Sequence, residues 1–160
     1  MALRGKDWLA LAVCLAACFA AAGLGAVFTA SAIPTWYAQI RKPAASPPNW
    51  LFGPVWTALY TMMAVAVWRV WRKAGNADVR LPLALFAIQL ALNAAWSPVF
   101  FGLRSFGGAF AIIVVLWCAI AATMVAFFRV SRPAGWLLVP YLAWVSFASY
   151  LNLAIWRLNG

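Results

Sequence analysis

The chain has 160 residues, 68% of them hydrophobic, with 11 tryptophans, 12 basic and 2 acidic side chains and no histidine. The net charge of +10 does not indicate a nucleic-acid binder, because the cations sit in short clusters between apolar runs rather than on one folded face. Two carboxylates, Asp7 and Asp78, both expected at a membrane edge, exclude carboxylate-dyad catalysis, buried proton relays and Asp/Glu-bound metal. The missing histidine removes the commonest metal ligand and general base.

Residues 8–40, 43–68, 81–103, 105–128 and 133–156 contain no Lys, Arg, Asp or Glu. About 20 apolar residues of helix cross a bilayer, and a charge at its centre costs at least about 2.5 kcal/mol on insertion scales. The runs are too long and too uniformly apolar for barrel strands. The fold class is therefore an all-α membrane protein, a single domain over residues 1–160 built as a five-transmembrane-helix bundle. The predicted helices cover about 8–29, 50–71, 81–103, 105–128 and 133–156.

Span 1 is rich in Ala and Gly, which lets helices approach closely in lipid. Arg4 and Lys6 precede it in the manner of a signal peptide, but the run from Trp8 to Ala30 is too long for a typical leader. A long connection follows at 31–49, with Pro34, Pro43, Pro47 and Pro48. Prolines deny it helical bonding, so it reads as a stiff, largely non-helical cap. Asn49 is a candidate N-cap for span 2. Short later connections make spans 2 to 5 sequential antiparallel neighbours. Cys14, Cys18 and Cys118 read as small apolar filler.

In span 3, Gln89, Asn93 and Trp96 share one helical stripe, and Ala87, Ala91 and Ala95 share a nearly opposite one. Buried amides need partners, so the first stripe should face the bundle interior as helix-to-helix glue or pocket wall. The second is then free either to pack within the bundle or to form a homodimer face. Six tryptophans (Trp8, Trp50, Trp68, Trp71, Trp136 and Trp156) suit an interfacial belt. Trp56, Trp96, Trp117 and Trp144 lie well inside their spans, and an indole N–H in hydrocarbon wants a partner, so these four should face inward.

At about 1.5 Å per residue, Trp56, Tyr60, Asn93, Trp96, Trp144, Ala148 and Asn152 share one half of the bundle, beneath the proline-rich loop. Aromatic walls, amides and a lid describe a pocket for a flat, largely apolar ligand. Eight cations on the N-terminal side against four on the other predict the N-terminus inside and the C-terminus outside.

Three segments resemble the TspO/MBR family of translocator and tryptophan-rich sensory proteins: Lys42-Pro43 with the run Pro47 to Tyr60, the run Gln89 to Gly102, and Pro140 to Trp144 with Phe147-Ala148 and Leu151-Asn152. The resemblance covers nearly the whole chain. It implies a five-helix bundle, usually dimeric, that binds porphyrins such as protoporphyrin IX and, in some members, cholesterol and benzodiazepine-type drugs. No cofactor is required; the porphyrin is a ligand. The family pocket maps onto Trp56, Asn93, Trp96, Trp144, Phe147, Ala148 and Leu151, to which the depth argument adds Tyr60, with Arg41 and Lys42 as rim cations. Departures occur at Ala44 and Ala45, where the family often has Trp, at Ser46 and Asn49, where animal members carry histidines, and at Gly108, in place of an aromatic. The sterol-recognition spacing also fails, with six residues between Tyr150 and Arg157 where about five at most are allowed.

The leading function is a membrane tetrapyrrole-binding sensor or carrier. One alternative is light- or oxygen-dependent porphyrin breakdown, with Trp56 and Trp144 as the candidate catalytic residues. Others are a small-molecule transporter, although spans without charge suit ion coupling poorly, and a scaffold that needs no ligand.

Overall fold

The computed structural model describes residues 4–160 and contains six α-helices among them. The helices are α1 (Gly5–Ala32), α2 (Trp36–Gln39), α3 (Phe52–Trp71), α4 (Arg80–Ser97), α5 (Phe106–Val130) and α6 (Arg132–Asn159), with a 3₁₀ turn at Asn49–Leu51 and a π turn at Pro98–Gly102. Five helical stretches are long and apolar enough to cross a membrane. Each of the five runs past its charge-free window at one end or both. Cations such as Lys6, Arg69, Arg80, Arg129, Arg132 and Arg157 therefore ride on terminal turns, where long side chains reach water.

Neighbours in sequence are not all neighbours in space. α5 packs on α6 and on α4, whereas α1 lies between α3 and α4, touching both along their length, and α6 closes the ring against α3. The expectation that spans 2 to 5 are sequential antiparallel neighbours fails at this point. Residues 72–79 form a connection long enough to step past the end of α1, and the small residues of α1 let it wedge in. At Gly25 an added Cβ would stand 3.2 Å from the Ser97 hydroxyl of α4.

Loop 1, residues 33–51, is more ordered than its prolines suggest. It contains the helical turn α2, whose Tyr37 is buried. Asn49 starts the 3₁₀ turn and makes no side-chain cap; the residue capping α3 is Leu51. Reciprocal bonds tie the loop to the far end of α6. The Arg41 amide donates to Asn159 Oδ1 at 2.9 Å, and Asn159 Nδ2 donates to the Arg41 carbonyl at 2.8 Å.

At Pro98 the missing N–H breaks the α-helical ladder. The chain widens into a π turn, in which the Leu103 amide donates to the Pro98 carbonyl at 2.9 Å. Arg104 then takes a left-handed conformation at φ 54°, costly for a residue with a Cβ. Its guanidinium ends 5.5 Å from the Trp36 ring centroid, so the turn into α5 also clamps loop 1.

At the N-terminal end, Asp7 is buried and its carboxylate lies 3.8 Å from Arg72 Nε. Trp68 donates its indole N–H to the Asp7 carbonyl at 2.8 Å. Trp68 is therefore a buried strut between α1 and α3, not a member of the interfacial belt. Trp8, Trp50, Trp71, Trp136 and Trp156 are exposed.

Candidate functional site

The centre of the bundle holds a line of polar side chains from three helices. Gln89 and Asn93 lie one turn apart on α4 and are 1% and 7% exposed. Tyr60 of α3 donates its hydroxyl to Asn93 Oδ1. Asn93 Nδ2 donates to the Tyr141 hydroxyl of α6 at 2.8 Å, and Tyr141 donates onward to Gln89 Oε1 at 2.9 Å. The Gln89 amide ends 4.0 Å from the Met63 sulfur, a weak acceptor. The line fixes α3, α4 and α6 relative to one another across the bundle, which buried amides in lipid require.

Two aromatic assemblies flank this line towards the loop-1 end. The first runs along the seam between α3 and α6. Trp56 and Tyr60, one turn apart on α3, have centroids 5.5 Å apart, and Trp56 meets Tyr141 edge-on at 6.3 Å. One turn nearer the loop, Phe52 meets Trp144 edge-on at 5.9 Å, and Trp144 meets Phe147 at 5.8 Å. Ala148 packs on the same core and Leu151 is buried. Trp144 Nε1 is buried and has no hydrogen-bond partner.

The second assembly lies under loop 1 at the α4–α5 junction. Trp96 stacks on Phe100 at 4.9 Å, Trp36 stacks on Phe106 at 5.7 Å, and Tyr37 meets Phe101 edge-on at 5.5 Å. Trp96 donates its N–H to Asn152 Oδ1 at 3.1 Å, and Asn152 Nδ2 donates to the Phe106 carbonyl at 3.0 Å. Burial pushes the Tyr37 phenol above its ordinary pKa, so Lys42 rests 4.4 Å from the centroid of a neutral ring.

The sequence-predicted site residues thus fall into two groups, with Asn93 in the polar line bonded to Tyr60 and Tyr141. Trp56, Tyr60, Trp144, Phe147, Ala148 and Leu151 line or adjoin the α3–α6 seam, and Trp96 belongs to the loop-1 assembly. Of the rim cations, Lys42 is engaged with Tyr37, and Arg41 is exposed, its backbone tied to Asn159. Ala87, Ala91 and Ala95 are exposed on α4, opposite the buried stripe.

Trp117 departs from expectation. It is 39% exposed on α5 and donates its N–H to Ser146 Oγ at 2.8 Å, a serine on the neighbouring face of α6. A nearby hydroxyl satisfied the indole without turning it inward. Cys118, beside it on α5, is likewise exposed. Sequence reasoning missed Tyr141 as the hub of the polar line and Phe52 as a partner of Trp144. The signal for Tyr141 was its place one turn before Trp144 on the same face.

The chain matches the TspO/MBR family over residues 12–157. It is 48% identical to the tryptophan-rich protein TspO of Chlorobaculum tepidum, over 96% of this chain and 98% of that one. To the tryptophan-rich sensory protein of Cereibacter sphaeroides it is 42% identical, over 96% and 93%. To the human translocator protein it is 45% identical, over 78% and 75%. This multi-pass membrane protein belongs to the TspO/MBR family.

Proposed function

We propose that the protein binds a flat tetrapyrrole of the protoporphyrin class at the α3–α6 seam and acts as a membrane sensor or carrier for it. The observation that carries this reading is the buried Trp144 N–H, which has no acceptor, on a ring packed between Phe52 and Phe147. A buried polar group without a partner costs about 1–3 kcal/mol, and such a group in a native fold calls for a functional account. A tetrapyrrole offers the rings a π face and the indole an acceptor. Each aromatic pairing is worth about 0.5–1.5 kcal/mol beyond burial. The relatives' names, translocator and sensory protein, fit a protein whose ligand is moved or whose occupancy is read.

The test is a protoporphyrin IX titration in nanodiscs, followed by tryptophan quenching in the dark and then by absorbance under light. Saturable quenching that weakens in Trp144→Phe supports the reading. Quenching without saturation, or equal affinity in that variant, overturns it. Loss of the porphyrin band under light, abolished by replacing Trp56 or Trp144, would move the assignment to porphyrin breakdown.

Two further proposals concern the frame. The distribution of cations favours an inside N-terminus. Thiol labelling of Ser46→Cys and Asn76→Cys should report opposite sides, and labelling of both from one side would refute it. The exposed Ala87/Ala91/Ala95 stripe suits a homodimer, so Ala91→Leu should shift the protein to monomer in mild detergent; an unchanged dimer points to another face.

A further inference from the structure

At the end of the bundle opposite loop 1, the α5–α6 hairpin carries a groove of about 520 Å³ lined by Val125, Phe128, Arg129, Arg132 and Trp136. It is a built feature. Phe128 lies directly across Gly135 of α6, where any side chain would collide with its ring. Trp136 stands edge-on to Phe128 at 5.4 Å. The floor is apolar and open to the surroundings: Val125 is 48% and Trp136 65% exposed. Both arginines are exposed and flank it, Arg129 in the last turn of α5 and Arg132 at the first position of α6.

These two cations have no acidic partner. The chain has only two carboxylates. Asp7 pairs with Arg72 on the opposite side of the ring, and Asp78 bonds the Arg80 amide in the α3–α4 connection. The counter-charge for the groove must come from outside the chain. At the end of a membrane-spanning hairpin, with an exposed tryptophan at the level of the headgroups, the anion at hand is a lipid phosphate. An acyl chain can then lie along Val125 and Phe128. We infer that this groove binds one anionic phospholipid, its headgroup phosphate between Arg129 and Arg132 and a chain against Phe128. Arginine forks suit phosphate, and basic pockets between transmembrane helices bind anionic headgroups.

Native mass spectrometry in mild detergent tests this, with dioleoyl phosphatidylglycerol and dioleoyl phosphatidylcholine titrated in parallel. The expected result is one tightly retained phosphatidylglycerol and no comparable retention of phosphatidylcholine. Arg129→Gln with Arg132→Gln should weaken that retention by about tenfold or more. Lys73→Gln with Arg80→Gln, also at the N-terminal end but outside the groove, should leave it unchanged. Trp136→Ala should weaken it with both arginines in place. Equal retention of the two lipids would overturn the inference, as would an equal loss in the Lys73/Arg80 control. Displacement by glycerol phosphate at matching concentration would also overturn it, because the site would then take a free phosphate. All the substituted side chains are exposed, and thermal unfolding of each variant checks that the bundle is retained.

Discussion

The two aromatic assemblies use the same residue types to opposite ends. Under loop 1, the Trp96 donor is met by Asn152, and cations sit over Trp36 and Tyr37. The Trp96 N–H is thus in use, and the rings and cations together form a clamp that holds loop 1 to the α4–α5 junction. Along the α3–α6 seam the rings are equally close, yet Trp144 keeps a buried donor with no acceptor. Trp68 and Trp117 also found acceptors, a backbone carbonyl and a serine hydroxyl. Trp144 differs from these three in keeping a buried donor without an acceptor, and on the function proposed above that difference marks the seam as the ligand's side of the bundle.

The largest expected effect comes from breaking the polar line beside the seam. Tyr141→Phe deletes the hydroxyl that accepts from Asn93 and donates to Gln89. Both amides are then left short of a partner in a dry interior. Thermal unfolding in detergent should show a loss of about 2–6 kcal/mol, from about 1–3 kcal/mol for each of the two unmet groups. A loss below about 0.5 kcal/mol would mean that the amides re-pair easily and that the line is not a girder.

Paired substitutions test the contrast directly. Trp96→Phe removes a donor that is in use and should cost about 1 kcal/mol of stability beyond the change in ring size, with a small effect on porphyrin affinity. Trp144→Phe removes a donor that is not in use. It should cost less stability and weaken porphyrin binding by about tenfold, since about 1.4 kcal/mol is a factor of ten. The opposite pattern, measured by unfolding and quenching on the same samples, would erase the distinction.

Ala148→Leu adds bulk beside the seam. Overpacking typically costs about 1–3 kcal/mol, and the effect should appear in porphyrin affinity while loop-1 contacts persist. Smallest of all should be Arg41→Ala with Lys42→Ala. Arg41 is tied through its backbone, which the substitution leaves in place, and exposed charges are screened by salt. A less than threefold loss of affinity, visible mainly at low salt, is expected; a larger loss would make the rim part of the site.

Helix number and the opposed stripes of span 3 were legible because both are written in local spacing: charge-free windows of bilayer length, and amides and alanines at helical intervals. The order of helices around the ring was not. The position of α1 between α3 and α4 depends on close approach at residues such as Gly25, which a linear pattern does not report. The short turn α2 was hidden by flanking prolines, because its stability comes from Tyr37 packing on Phe100 and Phe101 rather than from propensity. Trp117 misled because its acceptor, Ser146, lies on a different helix. The split of the expected pocket into a seam and a clamp was equally invisible, since shared depth does not specify which neighbours share a wall.

The position of α1 also has a consequence for biogenesis. Each of the first helices finds its neighbour as it is made: α3 docks on one side of α1, α4 on the other, and α5 on α4. On α3, Phe52 and Trp56 lack their aromatic partners Trp144 and Tyr141 until α6 arrives. That contact spans most of the chain, the kind of long-range closure that forms slowly. The seam is accordingly the last joint of the bundle to close. A series of chains released at increasing length should gain helical content stepwise, yet show tryptophan quenching by porphyrin only once α6 is in place.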